Sequence, residues 1–557
     1  MEYRYNIYDA LTEKWERNSG LRERYEYHPD GKLKAAIAQG MRYAYRYYPD
    51  GRLQEKSASG RSLLSYQYDL NGNKVKQTDV TGKSTEYIYT ATDLLQEIRD
   101  QGQGIVHFTH NADGTLKEAL HANGMRTSYG YDLDKNINGL HIEMNAQTLV
   151  QNRYHYDGNG NRTVKEQLRG TTHYTYDGLN QLSKVQYPDY GEELLYDKAG
   201  NRSRRIVNDI EEQYTYDARN RLTSHTKQGQ TAQYTYDKAG KLLSDGDKQY
   251  TYDSFNRTTK VETKDGQIQI NRYDAEGLRY ELEENGKLVQ FIFNENREVV
   301  LEQTDQDQKR LIRSFDLWAS ECMQEKTWYH YASDEQGSIL FVTDENEAKN
   351  RYEYDAWGNT VICEEQVENR YRYTGQQYDQ VTQQYYLRAR FYNPVIARFT
   401  QEDIYRGDGL NLYAYCANNP VVYVDPSGYD CKKKSQPYEG ASKANNDQRT
   451  YQTYTKTNPI TGEVYSGRTS GTGDPRQNVA RRDANHHMND KDFGPAKLDM
   501  SSSNKDAIRG REQELIEKHG GAQSQGGISG NSINGISENN KKRQKYLDAA
   551  DEEFGKI

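Results

Sequence analysis

The chain has 557 residues, a net charge of -9 and 34% hydrophobic residues, a composition that often accompanies disorder. Its 50 tyrosines argue against disorder, because each carries a large apolar ring that can build a core. The longest apolar run, Leu412–Ala417, is far shorter than the ~20 residues of a membrane span, which excludes a spanning helix. The N-terminus has no apolar segment of the kind found in signal peptides.

Charge is distributed unevenly along the chain. Residues 431–557 hold 21 Lys and Arg against 17 Asp and Glu, whereas the preceding residues have a net charge of -13. This change of sign predicts a domain boundary near residue 430. Four cysteines without CxxC spacing favour ordinary thiols over a zinc site or a disulfide framework. They are Cys322, Cys363, Cys416 and Cys431.

A Tyr-x-Tyr-Asp motif recurs through the first half of the chain, with a period of 20 residues where it is most regular. The two tyrosines alternate, so both rings fall on one face of a strand. The Asp then starts a turn, and a Gly or Asn three residues later tolerates a positive φ. Each repeat therefore predicts a strand, a tight turn and a return strand, and stacked repeats predict a long sheet. The regular copies carry Asp157, Asp177, Asp197, Asp217 and Asp237.

This pattern resembles the YD repeats of RHS proteins over about residues 1–430. The segment after the repeats resembles the RHS core-associated segment, which ends with Asp425-Pro426-Ser427-Gly428. One departure is Ala397, which stands where the family usually has Gly before Arg-Phe. The resemblance implies a mainly β spiral at residues 1–300 that residues 301–429 close into a hollow shell, with a C-terminal toxin enclosed. An adhesive YD-repeat fibre without enzyme activity is the alternative.

The same resemblance implies that the shell cuts off its own cargo. In RHS shells an aspartyl protease dyad in the core-associated segment cleaves after the Asp-Pro-x-Gly motif, and Asp403 and Asp425 stand at the matching places. The cut would fall near Tyr429. Two neighbouring carboxylates share one proton and can polarise a water. Glu402 stands where the family often has a basic residue.

After residue 430 the composition changes, and Lys432-Lys433-Lys434 is interpreted as a linker. Alternating residues at Thr450–Thr457 and Glu463–Thr469 predict a hairpin. Helices are expected at Asn504–Lys518 and about Asn540–Phe554. A further helix is expected to carry Val479, Arg482 and His486 on one face.

The order of these elements resembles the GIY-YIG nucleases, so a small α/β domain with a three-stranded antiparallel sheet flanked by helices is expected at 430–557. Tyr454 matches the first tripeptide and Tyr465-Ser466-Gly467 the second, although the first lacks Gly-Ile. A later helix supplies Glu512, and an Asn follows at Asn531.

The resemblance implies metal-dependent hydrolysis of phosphodiester bonds in DNA or RNA. Glu512 would hold one divalent ion, usually Mg²⁺, and Tyr454, supported by Tyr465, would accept a proton from water. Such a tyrosine needs a lowered pKa. The remaining assignments are Arg482 on the phosphate, His486 in proton relay, Asn531 on the substrate backbone, and Arg468, Arg476, Arg481 and His487 as alternatives.

Two rival enzyme classes use the same residues. Glu512-Gln513-Glu514 fits the ExE motif of ADP-ribosyltransferases, although that motif belongs in a loop. An HNH nuclease would use His486, His487, Asn489 and His519.

The RHS resemblance also implies partners and a destination. A toxin used in interbacterial competition needs a cognate immunity protein in the producer. It would be secreted or delivered into a target cell and act in the target cytoplasm, through a delivery module that is not part of this chain.

Overall fold

The computed structural model describes residues 1–8, 10–17, 19–404, 411–433, 450–471, 475–484, 486–502 and 504–555, without the side chains of 476, 477, 480, 481, 484 and 490. The chain divides into two compact units. Met1–Ser442 is called the repeat unit below and Lys443–Ile557 the C-terminal unit. The predicted mainly β class is confirmed, and the division falls after the expected boundary at residue 430.

In the described part of the repeat unit, the first sheet is an antiparallel meander of 23 strands, each paired with the next along the chain. Its strands are β1 (Glu2–Tyr5), β2 (Leu11–Trp15), β3 (Arg22–Tyr27), β4 (Leu33–Ala38), β5 (Met41–Tyr47), β6 (Leu53–Ala58), β7 (Arg61–Tyr68), β8 (Lys74–Asp79), β9 (Ser84–Tyr89), β10 (Leu95–Asp100), β11 (Gln103–His110), β12 (Leu116–His121), β13 (Arg126–Tyr131), β14 (Ile137–Met144), β15 (Gln147–Tyr156), β16 (Arg162–Gln167), β17 (Gly170–Tyr176), β18 (Leu182–Gln186), β19 (Gly191–Tyr196), β20 (Arg202–Val207), β21 (Ile210–Tyr216), β22 (Leu222–Lys227) and β23 (Gln230–Gln233).

The second sheet continues the same meander through 14 strands of the described chain. Only Tyr234 separates the two sheets, and the meander runs unbroken past the expected boundary at residue 300. The strands are β24 (Thr235–Tyr236), β25 (Leu242–Ser244), β26 (Lys248–Tyr252), β27 (Thr258–Thr263), β28 (Ile268–Tyr273), β29 (Arg279–Glu284), β30 (Lys287–Phe293), β31 (Val299–Gln303), β32 (Gln308–Arg313), β33 (Leu317–Cys322), β34 (Thr327–Ser333), β35 (Ile339–Thr343), β36 (Ala348–Tyr354) and β37 (Thr360–Glu365).

The turn of each repeat forms as predicted. In one copy Asp157 Oδ1 accepts the backbone N–H groups of Asn159 and Asn161, both at 2.9 Å, and Gly160 between them has φ 78°. That φ lies in the left-handed region, which Gly and Asn enter at little cost. The turn therefore fixes the Asp and the Gly or Asn of the motif.

The second tyrosine of each motif has a role that the sequence analysis did not predict. Its phenol donates to the backbone carbonyl of the residue that begins the previous return strand. This bond joins consecutive repeats, so the ring is anchored at both its apolar body and its polar tip. Examples are Tyr176 to Arg162 at 2.7 Å, Tyr196 to Leu182 at 2.7 Å and Tyr216 to Arg202 at 2.8 Å.

The two sheets share a buried apolar core and buried ion pairs. Phe108 of β11 packs against Trp318 of β33, with ring centroids 4.9 Å apart. Arg310 of β32 pairs with Asp79 at 2.5 Å and Asp100 at 2.8 Å, both on the first sheet. Satisfied pairs of this kind fix register, because a partner left alone in the core would be costly.

The chain after β37 folds around a cluster of buried aromatic rings that includes Tyr385, Tyr392 and Tyr415. Ala397 has φ 55°, a conformation that costs a non-Gly residue about 1–2 kcal/mol and accounts for Gly as the usual residue there. Lys432–Lys433 form a strand rather than the expected linker, because they pair with Tyr423–Val424. The elements are β38 (Gln377–Asp379), β39 (Gln384–Tyr386), β40 (Phe391–Asn393), β41 (Arg398–Phe399), β42 (Tyr423–Val424), β43 (Lys432–Lys433) and 3-10 turns at Tyr373–Gly375 and Cys416–Asn418.

The C-terminal unit contains a three-stranded antiparallel sheet in the order β45-β44-β46. Asn504 caps the second helix by accepting two backbone N–H groups, and Gly510 lets the third helix approach closely. The third helix begins later than expected. The elements are β44 (Thr450–Thr457), β45 (Val464–Gly471), β46 (Lys497–Ser502), α1 (Pro475–Ala484), α2 (Lys505–Lys518), α3 (Arg543–Phe554) and 3-10 turns at Asn489–Lys491 and Gln523–Gln525.

Candidate functional site

Two tyrosines and a glycine of the predicted hairpin form one side of the candidate site in the C-terminal unit. Tyr454 on β44 lies directly opposite Gly467 on β45. A Cβ atom on Gly467 would lie 2.6 Å from Tyr454 Oη and 2.9 Å from Cε1 of Tyr465. The absent side chain therefore makes room for both rings, which explains the glycine of the second tripeptide.

His486 contacts the same tyrosine, but from a different element than expected. Helix α1 ends at Ala484, so His486 lies beyond its end rather than on its face with Arg482. The backbone N–H of Met488 donates to His486 Nδ1 at 3.1 Å, which leaves the proton of the neutral ring on Nε2. Nε2 lies 2.9 Å from Tyr454 Oη and therefore donates to it.

The charge state of His486 supports this direction of donation. Burial, with His487 and Arg482 nearby, lowers the pKa of His486 to about 4, so the ring is neutral near pH 7. His487 is exposed and stacks on it, with ring centroids 4.5 Å apart. His486 is thus a fixed donor, whereas His487 is free to meet solvent or substrate.

Arg482 brings positive charge to the phenol of Tyr454. Burial raises the pKa of Tyr454, and a hydrogen bond from the Arg482 side chain opposes that shift. A tyrosine base needs a lowered pKa, whereas in the free protein burial outweighs the arginine and the pKa of Tyr454 lies above its ordinary value. Burial also raises the pKa of Tyr465 to about 12. Arg476 and Arg481 have side chains outside the described part.

Glu512 lies on the middle of α2, and its negative charge is felt at both tyrosines. Its side chain is 12% exposed, and Arg468 Nη1 lies 3.3 Å from Oε2. Within the described part of the chain, Oε2 takes part in no hydrogen bond. Burial raises the pKa of Glu512, while Arg468 and Arg509 lower it. The carboxylate is therefore removed from water, and the nearby arginines offset only part of the cost of burying its charge.

Few side chains of the candidate site could bind a divalent cation. No group of three or more His, Cys, Asp or Glu side chains able to hold a metal occurs among the described residues. Mg²⁺ retains several waters and is often bound by one or two carboxylates, so a single carboxylate such as that of Glu512 is compatible with this mode of binding. Glu512 Oε2 accepts no hydrogen bond in the described part of the chain, but Arg468 lies 3.3 Å from it, so a cation bound there would compete with this ion pair.

Asn531 supports the site from behind. Its Oδ1 accepts the backbone N–H of Ser466 at 2.8 Å, and its Nδ2 donates to the Ser466 carbonyl at 2.7 Å. Asn531 is buried, and its two hydrogen bonds hold the backbone of Ser466 between Tyr465 and Gly467. The structure therefore gives it a positioning role instead of the predicted contact with the substrate backbone.

A buried ion pair that the sequence analysis missed joins the hairpin to the end of α1. Lys456 Nζ contacts Asp483 Oδ1, and its side chain is fully buried. Asp483 also accepts the backbone N–H of His486 through its carbonyl and that of Ala496 through Oδ2. The pair fixes the loop that carries His486. A lysine two residues after Tyr454 was the only available signal, and alternation places both on the same strand face.

A second candidate site lies in the repeat unit and brings the predicted aspartates together. Arg390 Nη2 lies 2.7 Å from Asp403 Oδ2 and 3.8 Å from Asp425 Oδ2, and both carboxylates are buried. Burial raises the pKa of Asp425, although Arg390 opposes it. A cavity of about 210 Å³ adjoins Arg390 and Asp403.

The peptide that follows Asp425 is held at this site. Asp425 Oδ1 accepts the backbone N–H groups of Gly428 at 2.7 Å and Tyr429 at 3.2 Å. Arg390 Nε donates to the Gly428 carbonyl at 2.5 Å. Glu402 is turned to Arg219 at 2.8 Å, so Arg390, which the sequence analysis did not single out, supplies the positive charge here.

The repeat region is similar to known proteins. Residues 159–421 match the family model of the Teneurin YD-shell. The chain is 29% identical over 367 residues to the tRNA nuclease WapA of Bacillus subtilis strain 168, which covers 62% of this chain and 16% of that protein. It is 26% identical over 444 residues to the double-stranded DNA deaminase toxin A of Burkholderia cenocepacia strain H111, covering 68% of this chain and 31% of that protein.

A solved structure shares the fold. The crystal structure of TcdB2-TccC3-TEV has a TM-score of 0.61 and 18% identity, and covers 76% of this chain and 27% of that chain. The chain therefore spans under a third of the length of these relatives. An alignment of 367 residues cannot fit within Lys443–Ile557, so most of it lies in the repeat unit. These similarities are to YD-repeat proteins and lie mainly in the repeat unit. No described helix is long and apolar enough to cross a membrane.

Proposed function

We propose that the chain is an RHS-type toxin whose C-terminal unit hydrolyses phosphodiester bonds in the nucleic acid of a target cell. One observation carries the proposal. The phenol of Tyr454 accepts a hydrogen bond from His486 and lies near the positive charge of Arg482 and the negative charge of Glu512, a buried carboxylate that is paired with Arg468. The similar protein named tRNA nuclease WapA also acts on a nucleic acid, which supports the same class of substrate.

The hydrolytic step needs a base for the attacking water and positive charge for the phosphate. Donors from His486 and Arg482 stabilise negative charge on Tyr454 Oη, which favours the phenolate that can accept a proton. The raised pKa of the free phenol means that this state is reached most readily at alkaline pH. Arg482, which is exposed, can also contact the phosphate bidentately.

Glu512 would hold a divalent cation such as Mg²⁺. When bound, that ion would neutralise charge on the phosphate and favour ionisation of a coordinated water. Arg468 now lies against the same carboxylate oxygen, so this arginine must share or release Glu512.

The rival enzymes fit less well. Glu512 and Glu514 both lie inside helix α2, whereas an ExE motif belongs in a loop. A zinc deaminase needs cysteine ligands, and all four cysteines of the chain precede Lys443. An HNH nuclease would bind its metal through residues such as His486, His487, Asn489 and His519. The described residues contain no group of three or more His, Cys, Asp or Glu side chains that could hold a metal.

We further propose that the repeat unit cuts the chain just after Asp425-Pro426-Ser427-Gly428. Asp425 Oδ2 accepts no hydrogen bond in the described structure and faces Arg390 at 3.8 Å, while Oδ1 accepts the backbone N–H of Tyr429 on the far side of the bond to be cut. Arg390 polarises the Gly428 carbonyl, the oxygen that becomes negative when water adds. Asp403 and Asp425 would activate that water and protonate the leaving amine.

Delivery and protection follow from the toxin proposal. The released C-terminal unit would act in the cytoplasm of the target cell, and the producer would need an immunity protein that blocks the site around Tyr454. A delivery module outside this chain would carry the toxin across membranes.

The full chain should be incubated with plasmid DNA, total RNA and tRNA, with Mg²⁺ or with EDTA, and in parallel with labelled NAD and target-cell lysate. The proposal expects nucleic-acid cleavage that EDTA abolishes and no labelling of protein. Protein labelling without cleavage would instead support the transferase.

A further inference from the structure

Two cysteines lie on either side of the proposed cut and meet in the fold. Cys416 belongs to the buried aromatic cluster, and Cys431 packs against that cluster. Both side chains line the cavity of about 210 Å³ that also adjoins Arg390 and Asp403. Burial raises the pKa of the Cys416 thiol, and the neighbouring Cys431 thiol raises it further.

The backbone explains why the pair meets. Val424 pairs with Lys432 and Tyr423 with Lys433, so the chain beyond the cut folds back along the strand that precedes Asp425. This antiparallel ladder brings Cys431 beside the 3-10 turn that begins at Cys416. It contains only two residues on each side and would hold a cut end weakly.

We propose that Cys416 and Cys431 form a disulfide that keeps the cut C-terminal fragment attached to the repeat unit until a reductant is met. The proposal rests on the cleavage proposed above. A cut after Gly428 leaves Cys416 on the upstream fragment and Cys431 on the downstream one, so the bond joins two chains that no longer share a backbone.

The chemistry balances with a small-molecule disulfide, such as oxidised glutathione, as oxidant. The thiolate of Cys431, the more exposed thiol, attacks one sulfur and releases one thiolate. Deprotonated Cys416 then attacks Cys431 Sγ and releases the second. Two protons leave the protein, and two electrons reduce one small disulfide to two thiols. Reduced glutathione in a recipient cytoplasm reverses both exchanges and frees the fragment.

The remaining cysteines provide matched controls. Cys363 is exposed on β37 and Cys322 is half-buried at the end of β33, and both are distant in sequence from the cut. Peptide mapping should be done on the full chain after oxidised glutathione treatment and alkylation without reduction. Asp425→Asn, which should remain uncut, reports the pairing independently of cleavage.

If the disulfide forms, a cross-linked peptide pair containing Cys416 and Cys431 should be found in both the native chain and Asp425→Asn. Cys322 and Cys363 should be alkylated. The native chain should migrate as one species without reductant and as two species with it. Cys431→Ser should give two species in both conditions, and Cys363→Ser should behave like the native chain.

Three results would overturn the proposal. These are alkylation of both Cys416 and Cys431, a stable glutathione adduct on Cys431, or separate fragments from the native chain without reductant. A cross-link in Asp425→Asn together with no fragment from the reduced native chain would show that the two cysteines pair but that the chain is not cut. In that case the disulfide does not hold a cut fragment, and the proposal fails.

Discussion

Gly467 makes the arrangement of the candidate nuclease site possible, because the space for its missing Cβ is filled by Tyr454 and Tyr465. The motif Tyr465-Ser466-Gly467 marked the strand from sequence, but only the cross-strand pairing shows why the third residue has no side chain. The sequence likewise predicted Glu512 without revealing Arg468 beside it. Partners on distant strands cannot be inferred from spacing alone.

Gly467→Ala should reduce nucleic-acid cleavage at least tenfold while leaving the repeat unit folded. The added methyl group must displace one of two tyrosine rings that lie within 3.0 Å of it, and overpacking of this kind costs about 1–3 kcal/mol. Cleavage rate and thermal unfolding should both be measured. Thr469→Ala on the same strand is the control, and unchanged cleavage by Gly467→Ala would contradict the assigned geometry.

Arg390→Met should abolish the proposed self-cleavage. The variant loses the donor to the Gly428 carbonyl and leaves Asp403 and Asp425 without their shared cation. Loss of one donor to a developing oxyanion typically costs 10²–10³ in rate. Appearance of the fragment should be followed on reducing gels, with Arg272→Met as the control, because Arg272 on β28 pairs with Glu281 and Glu283. Processing at the native rate in Arg390→Met would exclude this role.

At the scale of elements, the end of α1 decides where the histidine lies. The i, i+3, i+7 spacing of Val479, Arg482 and His486 predicted one helix face, but α1 ends at Ala484. Asp483 is held by Lys456 of β44 and accepts two backbone N–H groups of the following loop. These tertiary contacts outweigh local periodicity, and they bring His486 to Tyr454.

Lys456→Met should destabilise the C-terminal unit by about 3–5 kcal/mol, because it leaves Asp483 partly buried without its cation. Lys456→Met/Asp483→Asn should recover part of that loss, since Asn still accepts the N–H of Ala496 through its side chain. The free energy of unfolding should be measured by denaturant titration. Equal stability of the single and double variants would contradict the coupling.

At the scale of the whole molecule, the residue types of the repeated motif allowed the strands and turns to be predicted from sequence. The Asp turns and the positive φ at Gly160 appear in the structure as the motif predicted. The sequence did not predict how the two sheets meet, because contacts such as Phe108 with Trp318 join residues about two hundred positions apart. The likeness to the crystal structure of TcdB2-TccC3-TEV supports the fold.

The buried histidine pair of the repeat unit should contribute a loss of stability as the pH falls from about 6.5 towards 4. His121 and His330 are buried against each other, with ring nitrogens that take part in no hydrogen bond within the described structure. Burial lowers the pKa of His330 to about 4 and that of His121 well below its usual value. The unfolded state therefore binds more protons in this range, so stability is full above about pH 6.5 and declines below it.

The size of this loss should be roughly 1–3 kcal/mol for His330. His330→Phe should flatten the dependence of the melting temperature on pH, whereas the exposed His155→Gln should leave it unchanged. The same dependence on pH between 7 and 4.5 in the native chain and in His330→Phe would contradict the prediction.

The most direct test of the central claim compares Glu512→Gln with Glu517→Gln in the full chain. Both residues lie on α2, but Glu517 is exposed and pairs with Arg543, away from the tyrosines. Cleavage of RNA and plasmid DNA with Mg²⁺ should fall at least 100-fold in Glu512→Gln and remain at the native rate in Glu517→Gln. Equal cleavage by the native chain and Glu512→Gln would contradict the proposed nuclease site.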